Sequence, residues 1–255
     1  MPDLSHRRIL VTGAAAGIGL ATSRLLLDAG AAVVMCDKNA EVLKSAVSEL
    51  SRTGRTPDSI VANLADASEI ERVAAEAGTL DGLVNCAGIY PVTPALELTA
   101  SEWDSVLALN LRTPFLLSTA VARRMVEAGR AGSIVNISST ASSLARPGIA
   151  HYGASKAGLN QLTRVLAVEL APHRIRINAV LPGVTATGTV KQALADPAFR
   201  AEMETKQARI PMGRLGEPEE IAELIIFLLS DAASYSTGGL FTADGGFSLG
   251  IPRYE

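Results

Sequence analysis

Tyr152 and Lys156 stand four residues apart in the segment Tyr-Gly-Ala-Ser-Lys. On a helix that spacing puts both side chains on one face. A phenol titrates near pH 10 in isolation, too high for a base at neutral pH. An adjacent ammonium favours the phenolate. Bringing the pKa to about 7 needs ~4 kcal/mol of differential stabilisation. A pair so tuned can take a proton from an alcohol as hydride leaves carbon, or return it during reduction. Two further polar groups belong with it. Ser138-Ser139-Thr140 places a hydroxyl cluster just after an apolar run, where one hydroxyl could hold a substrate oxygen or cap backbone groups. Asn110 lies between Leu109 and Leu111. A buried amide there must find partners, either a water near Lys156 or a backbone carbonyl.

Hydride chemistry requires an acceptor, and the N-terminal segment offers a place for one. Gly13, Gly17 and Gly19 punctuate Val11-Thr12-Gly13-Ala14-Ala15-Ala16-Gly17-Ile18-Gly19. Glycines there allow a tight turn and close approach of backbone to pyrophosphate. A helix starting at Gly17 adds free N–H groups and a positive dipole end. Asp37 closes the next apolar run, about 20 residues on, where an acid accepts from a ribose 2′-hydroxyl and repels a 2′-phosphate. Ala16 supplies no cation for such a phosphate, which favours NAD. Lys38 is the counterweight, since it could screen Asp37 or meet a phosphate.

The remaining pattern supplies elements to hold these groups. Strand-like runs occupy 8–12, 32–36, 59–62, 83–86, 133–137, 176–181 and 240–243. Helical patterns occupy 17–29, 40–51, 67–77, 101–127, 152–170 and 219–229. Pro114 falls inside the fourth helix as a candidate kink. The alternation predicts an α/β, Rossmann-like, doubly wound, seven-stranded parallel sheet with helices on both faces, three layers in all. Ligands then sit beyond the carboxyl ends of the strands, where each motif falls.

The 255 residues suit a single domain over 1–255, and 48% apolar residues with 4% aromatic imply a core of aliphatic side chains. The least patterned stretch, 185–215, contains an expected substrate lid at 188–212. Net charge is -3, with no Lys/Arg block, which disfavours nucleic acid as a partner. The apolar stretches read as too short for a bilayer, so no membrane partner is expected. Cys36 and Cys86 read as buried thiols of a reducing cytoplasm. No metal-ligand cluster is expected.

The joint order of motifs resembles the short-chain dehydrogenase/reductase family over nearly the whole chain. It comprises T-G-A-A-A-G-I-G at 12–19, N-C-A-G at 85–88, Asn110, I-S-S at 137–139, Y-G-A-S-K at 152–156 and P-G at 182–183. The resemblance implies a tetrad of Asn110, Ser139, Tyr152 and Lys156. Ser139 is preferred to Ser138 because it stands thirteen positions before Tyr152. The resemblance also implies that Lys156 bonds the nicotinamide ribose and that Asn110 holds a relay water. Gly13, Ala16, Gly17, Ile18, Gly19, Asp37 and Lys38 would receive the adenosine and pyrophosphate. Asn63 and Leu64 would lie beside the adenine, and Asn85, Ala87 and Gly88 beside the adenosine half. Pro182, Gly183 and Thr185 would flank the nicotinamide, with Thr187 on its carboxamide or the phosphates. Tyr90, Ala141, Arg146 and His151 are substrate candidates.

Three positions depart from the family pattern: Cys86 for a second asparagine, Asn63 for an acid, and Gly188 for a proline after Thr187. The implied activity is hydride transfer between NAD(H) and a secondary alcohol or ketone by a homotetramer. A 3-oxoacyl reductase using NADPH, and a non-catalytic NAD(H) sensor, are the alternatives.

Overall fold

The computed structural model describes residues 2–52, 54–188, 190 and 195–250. Its strands are β1 (Arg8–Thr12), β2 (Ala32–Asp37), β3 (Asp58–Val61), β4 (Gly82–Asn85), β5 (Gly132–Ile137), β6 (Ile175–Pro182) and β7 (Leu240–Ala243). All pair in parallel, in the order β3-β2-β1-β4-β5-β6-β7. The chain starts at the centre, winds outward to β3, then crosses back to β4. The order therefore reverses between β1 and β4, and a crevice opens beyond their carboxyl ends.

Period-two alternation sorts the strand residues between two cores. Ile9, Val11, Val33, Met35, Val84 and Val135 face one side. There they pack against α1 (Gly17–Asp28), α2 (Ala40–Ser51) and a C-terminal helix, Pro218–Leu229. Leu10, Val34, Cys36, Leu83 and Ile134 face the other side. They meet α3 (Ser68–Glu76), α5 (Thr113–Glu127) and α6 (Ala150–Leu170). Aliphatic side chains fill both layers, as the composition implies.

The long helix expected over 101–127 is instead two helices. α4 (Ala100–Leu107) leads into a π turn over Ala108–Arg112, and α5 follows. Pro114 explains the break: it has no N–H to give the Asn110 carbonyl four residues back. Together the run 100–127 is long and apolar enough to cross a membrane, contrary to the sequence reading. Its Leu117, Ala120, Val121, Ala122 and Met125 are core residues packed on the sheet, which accounts for that hydropathy. A helix the sequence reading missed, α7 (Pro197–Gln207), lies within the expected lid; residues 189 and 191–194 of that lid are outside the described residues. The helix Pro218–Leu229 is α8, and its start is fixed by a capping box between Glu217 and Glu220.

Candidate active site

The carboxyl ends of β1, β4, β5 and β6 open into a cleft of about 640 Å³. Gly13, Ala16, Gly17, Ile18 and Asp37 line one end, and Ser139, Tyr152, Arg146 and Tyr90 line the other. Thr12 knots the floor together. Its hydroxyl donates to the Val84 carbonyl and accepts from the N–H groups of Cys86 and Ala87. This binds the end of β1 to the loop after β4, a function that the sequence reading did not assign.

The glycine loop is shaped by close backbone approach. Gly13 has φ of +63°, and a Cβ there would stand 2.9 Å from the Ala87 Cα. Gly19 packs on the Gly13 carbonyl so closely that a side chain would displace the loop. α1 starts at Gly17 with no side-chain cap, unlike α2 and α4, whose starts Asn39 and Thr99 cap. The Gly19 N–H serves the Cys86 thiol, which leaves the N–H groups of Gly17 and Ile18 at that start for a ligand, and a phosphate suits them. Asp37 accepts from the Ala15 N–H at 3.2 Å and the Asn39 N–H at 3.0 Å, so its carboxylate is held against the loop. Lys38 is exposed and does not line the cleft. These features fit a dinucleotide: an uncapped helix start for pyrophosphate, a side-chain-free cradle, and an acid held against that loop for the ribose.

At the other end, α6 presents Tyr152 and Lys156 on one face, as their spacing requires. Lys156 is buried, and its Nζ donates to the Ile137 carbonyl at 2.7 Å. Burial brings its pKa down to about 8. Burial also raises the Tyr152 pKa, opposed by hydrogen bonding from Ser139 and, more weakly, by the Arg146 charge. In the protein alone the phenol therefore stands above its ordinary value, with burial the largest influence on it. The ammonium is itself desolvated, lies 5.7 Å from the Tyr152 ring centroid, and is bonded to Ile137. Ser139 accepts from the Ala141 N–H at 3.1 Å, which leaves its hydrogen to point at the tyrosine oxygen or a substrate oxygen. Ser138 bonds to the Lys156 carbonyl instead, so Ser139 is the hydroxyl that pairs with Tyr152.

Asn110 sits in the π turn and is fully buried. Its amide clamps Ile89 in both senses: Oδ1 accepts from the Ile89 N–H and Nδ2 donates to the Ile89 carbonyl, each at 2.9 Å. Of the two alternatives in the sequence, the structure shows the backbone bond. The side chain orders the loop carrying Gly88 and Tyr90, and a Cβ on Gly88 would approach Asn110 Oδ1 to 3.1 Å and Lys156 Nζ to 3.8 Å.

Ala87, Gly88, Pro182, Gly183, Thr185 and Thr187 also line the cleft. Thr187 lies against Gly17, whose Cβ would meet its methyl at 3.2 Å. Several expected positions do not reach the cleft. Asn85 is held in the sheet by bonds to Ser118 and Asn136. Asn63 is exposed and accepts from the Ala65 N–H, while Leu64 is buried in the core. Ala141 positions Ser139 from behind. His151 is fully buried, 3.4 Å from Glu102 on α4, because helix periodicity turns it away from its neighbour Tyr152. Phe199, Met203 and Lys206, within the expected lid, line the cleft, and so does Phe247, which the sequence reading did not foresee. Pro197 as a helix starter and the four-residue step from Phe199 to Met203 were the available signals. No metal-ligand cluster occurs among the described residues.

Residues 13–248 match the family model described as enoyl-(acyl carrier protein) reductase. The chain is 41% identical over 250 residues to the 3-oxoacyl-[acyl-carrier-protein] reductase of Thermotoga maritima, covering 96% of this chain and 99% of that one. It is 42% identical over 253 residues to the cis-4-hydroxycyclohexanecarboxylate dehydrogenase of Sinomonas cyclohexanicum, covering 96% and 97%. Among solved structures, an NADPH-bound short chain oxidoreductase of Pseudomonas aeruginosa PAO1 superposes with TM-score 0.88 at 33% identity, over 96% and 98% of the two chains.

Proposed function

The chain belongs to the short-chain dehydrogenase/reductase family and is an oxidoreductase of CH–OH groups, and from that premise we propose that it oxidises a secondary alcohol to a ketone with NAD as hydride acceptor. A nicotinamide dinucleotide supplies the hydride-accepting ring carbon when bound. Gly13 to Gly19 and the α1 start would hold its pyrophosphate, and Asp37 its adenosine ribose. Pro182, Gly183 and Thr185 would flank its nicotinamide, and Lys156 would bond the nearer ribose. Ser139 orients the alcohol oxygen. Tyr152 takes the alcohol proton at its phenolate oxygen and delivers it in the reverse direction. Asn110 keeps the wall of the cleft in place through Ile89.

The observation that carries the choice of NAD is the Asp37 carboxylate, tied to the Ala15 N–H, while its neighbour Lys38 is not among the described residues that line the cleft. A 2′-phosphate would face that anion. The expected result is a higher kcat/KM for NAD than for NADP in a nicotinamide-absorbance assay over a panel of secondary alcohols. Asp37→Ala narrows the ratio by about tenfold or more, the scale of a charge-assisted hydrogen bond. Equal use of both nucleotides by the unaltered enzyme contradicts the assignment. Free thiols at Cys36 and Cys86 support a cytoplasmic enzyme.

The chain further works, in this proposal, as one domain whose 188–212 segment covers the substrate, and as a homotetramer. Phe199, Met203 and Lys206 of α7 roof the cleft, while α5 and α6 leave Phe115, Val165 and Val168 exposed for a partner copy to cover. Hydrogen exchange reads both. Amides of α7 slow when NADH and a ketone analogue bind together. Amides of the α5 and α6 faces lose protection when the protein is diluted below its assembly range. Unchanged exchange in α7 refutes the cover, and concentration-independent exchange in α5 and α6 refutes the assembly.

A further inference from the structure

Resting on that reading, we infer that the substrate is an anion, a hydroxy acid whose carboxylate is held by Arg146 with help from Arg209. Arg146 lines the catalytic cleft beside Ser139 and Tyr152, and it also lines an adjoining cavity of about 360 Å³. Arg209 and Phe247 line that second cavity too, so two guanidinium groups from distant parts of the chain meet around one space. The two cavities share Arg146 and Phe247 as lining residues.

Among the described residues no carboxylate pairs with Arg146 or Arg209, whereas Lys206 close by is paired with Glu202. Each guanidinium instead faces a ring. The carbon of Arg146 lies 5.8 Å from the Tyr90 centroid, and that of Arg209 lies 5.8 Å from the Phe247 centroid. Rings hold a guanidinium in place without consuming its N–H donors. The Arg146 Nε is buried with no acceptor among the described residues. A buried donor without a partner costs about 1–3 kcal/mol. A substrate carboxylate removes that cost, because its two oxygens match the fork of a guanidinium. The charge of Arg146 already reaches Tyr152, which it helps to acidify. Arg146 and Tyr152 line the same cleft, so one small molecule can meet both, and the rings of Tyr90 and Phe247 in that lining suit its carbon skeleton.

The test compares 4-hydroxycyclohexanecarboxylate and 3-hydroxybutyrate with their own primary amides, and includes cyclohexanol. Each amide keeps the carbinol and the shape but loses the charge. The expected kcat/KM ratio of acid to amide is about tenfold or more, the scale of a hydrogen bond to a charged group. It should collapse to within about twofold of unity in Arg146→Gln, fall part of the way in Arg209→Gln, and survive largely in Arg146→Lys, which keeps the charge without the fork. Cyclohexanecarboxylate, which has no carbinol, should inhibit cyclohexanol oxidation competitively and lose about tenfold in affinity in Arg146→Gln. Thermal midpoints of the variants report whether they fold, and Arg209→Gln carries the test if Arg146→Gln does not. An acid-to-amide ratio near unity in the unaltered enzyme overturns the anion site, as does a ratio that neither glutamine variant changes. If cyclohexanol is still oxidised, the oxidoreductase reading stands alone. Absence of turnover with every alcohol and with the matching ketones overturns both.

Discussion

Tyr152→Phe lowers kcat for alcohol oxidation by about 10²-fold or more, the usual scale for an acid–base group, and leaves nucleotide affinity nearly unchanged. The phenylalanine keeps the ring, which packs edge-on against Tyr90 with centroids 4.6 Å apart. Only the oxygen that exchanges the proton is lost. The pH profile adds a second reading. Burial holds the Tyr152 phenol above its ordinary value, and Ser139 pulls it back through a hydrogen bond. Oxidation needs the phenolate, so its rate rises with pH. Ser139→Ala removes the stabilising bond and moves that rise to higher pH. A phenylalanine variant that turns over at near the unaltered rate shows that another group is the base. An alanine variant with an unmoved profile shows that Ser139 does not act on the phenol.

Lys156→Met separates function from stability. Turnover falls by about 10²-fold or more, because the ammonium supports both the proton transfer and the nicotinamide ribose. Thermal stability at pH 7 rises. Burial depresses the folded-state pKa of Lys156 from 10.5 to about 8. At neutral pH the folded protein therefore holds a charge it disfavours, at a cost on the order of 3 kcal/mol. Methionine fills a similar volume without that charge and gives up one charge-assisted hydrogen bond to Ile137, worth about 1.5 kcal/mol. Between pH 8 and 10.5 the unfolded chain keeps the Lys156 proton while the folded protein has lost it. The stability contribution of lysine thus rises with pH across that window, and the advantage of methionine shrinks to nothing near its upper end. Melting curves of both proteins at pH 7 and pH 10 check this, since all other titrations are common to them. A methionine variant less stable at pH 7, or an advantage that grows with pH, contradicts the account.

Much of this protein was legible without coordinates because local rules govern it. The strand and helix alternation, the glycine loop before α1, the four-residue step from Tyr152 to Lys156, and Asp37 at the end of β2 are set by backbone periodicity and short-range sterics. A chain carries such information in adjacent residues. Parallel β-α-β handedness then leaves little freedom in how they assemble. The break at Pro114 was visible as well, though not the π turn that resolves it.

What tertiary structure alone decided concerns partners remote in sequence and the burial they share. Asn110 needed partners for its amide, and the packing of Ile89 against the π turn supplies them. Lys156 was expected to acidify Tyr152, but folding buries both, and burial raises the phenol and lowers the ammonium. His151 adjoins Tyr152 in the chain yet lies against Glu102, since helix geometry sends neighbours to different faces. Arg146 and Arg209 share no local pattern, and their convergence on one cavity follows from where two loops end on the finished sheet. Residue types and spacing state which chemistry a chain can do; desolvation and long-range contact set the charge and aim of each group, and these exist only once the chain has folded.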